Sequence, residues 1–98
     1  MVIETTPYDV CDYLNSDEEI KAYLDEALAS NDSKLIAHVL GNVARKIGMK
    51  KIAETTGLSR ESLYKSLSDK GNPELATIIK VLNAIGHTLK TDDFKQAS

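Results

Sequence analysis

The stretch that most limits what this chain can fold into runs from residue 49 to 67, MKKIAETTGLSRESLYKSL. It reads as two short helices about a tight turn, with Gly57 at the corner. Ile52 and Ala53 give a first short helix its apolar face, Leu58 closes a turn, and Leu63 and Leu67 give a second helix its inner face. Between those positions the second helix turns Arg60, Glu61, Ser62, Tyr64 and Lys65 to solvent. Two short helices joined by a glycine-containing turn form the helix-turn-helix pattern, which lays its second helix in a DNA major groove.

The flanking sequence supplies the rest of a core. Residues 1–15 hold Pro7 and no sustained period, and read as an arm. Ser16-Asp17-Glu18-Glu19 is a capping box, with three acids at the positive end of the helix it opens. Ile20, Tyr23, Leu24, Ala27 and Leu28 follow at helical spacing. Ser30 to Ser33 end that helix and cap the next, which runs to Ile47 with Ile36, Val39, Leu40, Val43 and Ile47 inward. Gly41 lies mid-helix, where glycine costs roughly 1 kcal/mol against alanine. Close helix packing accounts for it, and Gly48 stops the helix.

After the motif, whose second helix Ser59 caps, Ser68 to Gly71 form a loop. Asn72 is the expected N-cap and Pro73 the expected first residue of a fifth helix. Leu75, Ile78, Ile79, Leu82 and Ile85 form its stripe, and Gly86 ends it. The segment from His87 begins with a short alternating piece compatible with a strand. The expected architecture is all-α: a five-helix bundle over residues 16–90 carrying the helix-turn-helix at 49–67, an N-terminal arm at 1–15 and a flexible tail at 91–98.

Ninety-eight residues are enough for one domain with a modest core. A lone Cys11 excludes an internal disulfide, and the first residues have neither a basic region nor an apolar run, so a reducing, cytoplasmic setting without a signal peptide is expected. The uncharged run Leu35 to Ala44 is ten residues long, too short to span a bilayer. The net charge of −3 conceals a division. Residues 1–33 carry nine acids against Lys21, a net of −8, whereas residues 45–70 carry seven bases against three acids, a net of +4. The motif thus lies in the basic part, as a nucleic-acid binder requires.

The sequence IAETTGLSRESLYKSLSDKGNPELATIIKVLNAIG resembles the Xre-type helix-turn-helix of phage repressors, and more closely the HigA-like antitoxins of addiction modules. That second family carries an acidic segment like DYLNSDEEIKAYLDEAL, a helix ending like GNVARKIGM, the pattern I-A-x-x-x-G-L-S-R-E-x-L-Y-K-x-L, and G-N-P before the last helix. Here these fall on Ile52, Ala53, Gly57 to Glu61, Leu63 to Lys65, Leu67 and Gly71 to Pro73, within a likeness covering residues 10–89. Thr55-Thr56 and the tail after Lys90 are individual to this chain. The resemblance implies a DNA-binding antitoxin that neutralises a toxin of the RelE/ParE superfamily and represses their shared operon.

Individual residues have competing readings. On a recognition helix Arg60 can read guanine, Glu61 can accept from cytosine, Ser62 can serve either, and Lys65 can reach a base or a phosphate. Lys50, Lys51, Lys70 and Ser59 are placed for phosphates. The plainer alternative is that these side chains decorate a solvated helix. Tyr64 either touches the sugar-phosphate backbone or rests on the bundle. Arg45 and Lys46 suit the last turn of their helix as cations at its negative end, which is reason enough for them. Tyr8, Val10, Tyr13 and Leu14, among Asp9, Asp12 and Asp17, offer a surface for a basic toxin; alternatively the acidic third only caps and solvates a helix.

A homodimer is expected, since such motifs read two half-sites one helical turn apart. Ile85, Leu89 and Phe94 are its candidate surface, because the last helix and tail hold more apolar residues than so small a monomer should expose. Cys11, His38 and His87 share no metal-ligand spacing, and Asp9, Asp12 and Asp17 form no calcium loop. No catalytic residue, cofactor, metal or small-molecule substrate is expected. The standing alternatives are a stand-alone transcriptional regulator and a protein-interaction module built on the acidic helix.

Overall fold

A computed structural model describes residues 16–68 and 70–94, and among them the chain is all-α. Five helices follow in order: α1 Asp17–Ala29, α2 Ser33–Ile47, α3 Met49–Thr56, α4 Arg60–Ser66 and α5 Leu75–Ile85. The expected capping box opens α1, where Ser16 Oγ accepts from the Glu19 amide at 3.1 Å. The turn after α1 is built by Asn31 in the left-handed region (φ 60°) and by Asp32, whose carboxylate accepts from the Lys34 and Leu35 amides at 3.0 and 3.3 Å.

Helix α2 is the axis of the bundle, and every other helix packs against it. It buries Ala37, Val39, Leu40, Gly41, Val43 and Ala44, a broad face along its middle. Ile36 and Ile47, expected inward, are half-buried at the edge of the core. Against this axis α1 sets Ile20, Leu24 and Ala27, α3 sets Met49 and Ile52, α4 with its C-cap sets Leu63 and Leu67, and α5 sets Val81 and Leu82. At Gly41 the packing of α4 on α2 is close. A Cβ there would overlap the carbonyl oxygen of Leu67, so only glycine lets the end of α4 lie on α2.

Three expectations need correction. Helix α5 begins at Leu75 with Glu74 as its N-cap, in extended geometry (ψ 155°) and with no side-chain cap bond, rather than at Pro73 with Asn72 as N-cap. Gly71 is wound so tightly against the Lys65 and Ser66 carbonyls that the next residues are spent carrying the chain clear of α4. The buried stripe of α5 is Ile78, Val81, Leu82 and Ile85, whereas Leu75 and Ile79 are 61% and 39% exposed. This helix is apolar on most sides, and its contacts with α2 and α3, not its sequence period, choose the side that is buried. Residues 87–94 form no strand, because no edge exists in a helical bundle for one to pair with. Gly86 instead turns the chain in a Schellman motif, its amide donating to Asn83 O and the His87 amide to Leu82 O at 3.1 and 2.8 Å.

Candidate nucleic-acid interface

The turn between α3 and α4 is held by three local devices. Gly57 adopts the left-handed conformation (φ 78°) and its amide donates to Ala53 O at 2.9 Å. Thr56 Oγ1 donates to Ile52 O at 2.8 Å and accepts from the Leu58 amide at 3.2 Å, tying α3 to the residue that closes the turn. Ser59 Oγ accepts from the Ser62 amide at 3.0 Å and starts α4. Thr56 is a positioning residue that the sequence pattern does not reveal, since threonine late in a helix is unremarkable until its hydroxyl is seen to bridge the turn.

Leu63 and Leu67 are fully buried and set the rotation of α4. With that rotation fixed, Arg60, Glu61, Ser62, Tyr64 and Lys65 all face solvent. Ser59, Arg60, Glu61 and Tyr64 together line an open depression of about 400 Å³. Tyr64 is 44% exposed, so its ring lies in that surface rather than on the bundle core. Among the described residues the ion pair present is Lys21–Asp25 on α1, at 2.7 Å, and none engages Arg60, Glu61 or Lys65. These side chains are held by the helix but not by one another.

Lys50 and Lys51 are exposed in the first turn of α3, which has no acid there and no side-chain cap. Cations at a helix N-terminus oppose its dipole by roughly 0.3–1 kcal/mol each, and an anion at that end would reverse the balance. Lys70 lies elsewhere. It lines a second open cleft of about 380 Å³ with His38, Arg45, Leu67 and Ser68. The structure therefore divides the expected DNA contacts between two surfaces. It also takes Arg45 beyond its role as a helix-end cation, since its Nη2 donates to Asn42 Oδ1 at 2.6 Å and Asn42 Nδ2 donates to Tyr23 Oη on α1 at 2.9 Å.

On the opposite side of the charge division, Asp17, Glu18, Glu19, Asp25 and Glu26 of α1 are all exposed. Tyr8, Val10, Tyr13 and Leu14 lie outside the described residues. Of the candidate dimer residues, Ile85 packs partly on the core, while Leu89 and Phe94 are 42% and 66% exposed. No group of acids, histidines and cysteines among the described residues could hold a metal ion, and no described helix is long and apolar enough to cross a membrane.

A family described as "Probable addiction module antidote protein" matches residues 4–93. The chain belongs to that family. A relative from Haemophilus influenzae, named only as an uncharacterized protein, is 45% identical over 85 residues, spanning 87% of this chain and 88% of its own. No solved structure matches the chain. Membership of an antidote family implies a toxin as partner and suggests a regulatory rather than enzymatic role. The match is to addiction-module antidotes as such; the narrower likeness to Xre-type, HigA-like antitoxins rests on the motif residues alone.

Proposed function

We propose that this antidote is a DNA-binding antitoxin that neutralises a RelE/ParE-superfamily toxin and represses its own operon. The observation that carries the DNA reading is the outer face of α4: five polar side chains, turned outward by buried Leu63 and Leu67 and engaged in no ion pair among the described residues. The two lysines placed against the dipole of α3 support it, as anion contacts would compensate their local cost. In this reading residues 16–90 are the DNA-binding unit, flanked by an arm and a tail. Arg60, Glu61, Ser62 and Lys65 face base edges, and Lys50, Lys51, Ser59 and Tyr64 meet the backbone. Exposed Leu89 and Phe94, with partly buried Ile85, join two copies on a palindromic operator. Leu75 and Ile79 add further exposed apolar surface on α5.

Titration against the duplex upstream of the gene, at two salt concentrations, tests this. Arg60→Ala is expected to abolish preference for that duplex, and Lys65→Ala to weaken binding. Wild-type binding should fall steeply with salt. Absence of binding at low salt, or binding indifferent to both substitutions, would overturn the DNA role.

The toxin-facing surface follows from charge. Helix α1 presents five exposed acids against one lysine, complementary to a basic RNA-cleaving partner and suited to fast association. Co-purification with the product of the adjacent gene, weakened when Asp17, Glu18 and Glu19 are all changed to Asn or Gln, is the expected outcome. Retention of the DNA role with no co-purifying partner would favour a stand-alone regulator.

A further inference from the structure

The cleft between α2 and the α4–α5 loop, lined by His38, Arg45, Leu67, Ser68 and Lys70, lies outside the recognition face of α4. His38, Gly41 and Arg45 follow at i, i+3 and i+7 on one face of α2, so the glycine lies between the two nitrogen-bearing side chains. Because Gly41 has no Cβ, the Leu67 carbonyl rests on α2 at that point, and the loop after α4 is drawn in between His38 and Arg45. The loop is itself tightly wound. The Gly71 amide donates to Ser68 O at 2.9 Å, the Ser68 hydroxyl donates to Lys65 O at 2.9 Å, and a Cβ on Gly71 would overlap α4 carbonyls. The last carbonyls of α4 are thereby partly occupied, and the cations Arg45 and Lys70 border a cleft with Leu67 as its floor. Arg45 is oriented by its bond to Asn42, which uses one of the five N–H donors of a guanidinium. Lys46 follows Arg45 on α2 and is exposed.

We infer that this cleft is a phosphodiester site, in which Arg45 and Lys70 hold the DNA backbone beyond the end of the recognition helix. It rests on the DNA reading of α4 and extends that footprint from the motif to the helix that precedes it. Two cations on different elements, Arg45 oriented by Asn42 and Lys70 exposed at the rim, suit a phosphate, which positions a protein on the duplex without specifying sequence. The loop that carries Lys70 is continuous with α4, so a backbone gripped here sets how deeply and at what angle α4 enters the groove.

The experiment measures binding to two duplexes of equal length, the segment upstream of the gene and a scrambled sequence, across a salt series. Arg45→Ala and Lys70→Ala are each expected to weaken both duplexes by a similar factor, roughly tenfold, and to lower the salt slope by about one. Lys46→Ala removes the same charge from an exposed neighbour that does not line the cleft, and should change affinity by less than about twofold. Arg60→Ala should weaken only the upstream duplex. Equal losses in Lys46→Ala and Arg45→Ala would reduce the effect to net charge and overturn the cleft. Full affinity in Arg45→Ala and Lys70→Ala beside a defective Arg60→Ala would overturn the cleft and leave the recognition helix standing. Should the wild type bind neither duplex, the DNA reading falls and the cleft with it. Lys70 is exposed, so its variant separates the inference from any folding defect caused by breaking the Arg45–Asn42 bond. Inorganic phosphate alone, titrated without DNA, distinguishes a free-anion site: tight binding there with unchanged DNA affinity in both variants would overturn the backbone assignment.

Discussion

Helix α1 and the α3–α4 pair are opposite in charge and opposite in how they are held. Helix α1 packs on α2, burying Ile20, Leu24 and Ala27 along one seam, with the Tyr23–Asn42 bond as a polar tie across it. The α3–α4 pair is enclosed by α2 and α5 as well as by itself, and its Ile52, Leu63 and Leu67 are essentially without solvent contact. The acidic element is thus an attachment to the bundle, whereas the basic element is part of its centre. A surface read by DNA must hold side chains in fixed register, and that register comes from leucines with no room to move. A surface that meets a partner mainly through charge needs less rigidity.

The largest test of this contrast is Leu63→Ala, which should cost about 3 kcal/mol and remove upstream-duplex binding together with the fold, read by denaturant titration. Gly41→Ala should cost about 2 kcal/mol by forcing the Leu67 carbonyl off α2. Because that shift moves the end of α4, its duplex affinity should fall even under conditions where the protein remains folded. A Gly41→Ala variant as stable as wild type would break the account of the α2–α4 seam. Tyr23→Phe removes the acceptor for Asn42 and should cost about 1 kcal/mol. Amide exchange sharpens this point, since α1 amides should open more readily than those of α2 and α4, and Tyr23→Phe should speed the α1 amides selectively. The smallest effect belongs to Lys21→Ala, which breaks an i,i+4 pair with both side chains more than half exposed; about 0.3 kcal/mol, diminishing with salt, is expected.

Much of the architecture was legible because several independent signals agreed at each boundary. At α1 the Ser16 box, three acids and an apolar stripe all point to one helix start. At the motif turn, Gly57 and Ser59 have the residue types that the observed left-handed turn and N-cap require. Where one signal stood alone, it misled. Asn72-Pro73 has the composition of a helix start, but the tight winding of Gly71 on α4 displaced that start to Leu75. Helix α5 has apolar residues on most sides, so its period could not choose between Leu75 with Ile79 and Val81 as the buried set. For the site, the outward positions of α4 followed from Leu63 and Leu67 alone. The place of Lys70 in a different cleft, lined also by Arg45, did not.

What the sequence determined by itself was local: five helices, the caps of α1, α2 and α4, the glycine turn, the outward face of α4 and the division of charge. Each depends on residues within a turn or two of one another, where capping and helical periodicity act. What the tertiary structure decided was every relation between distant residues. It placed Gly41 against Leu67, Asn42 between Tyr23 and Arg45, and Arg45 and Lys70 on the border of one cleft. Those relations depend on which helix faces close on each other, and only the shared demand to fill one small core around α2 fixes that choice.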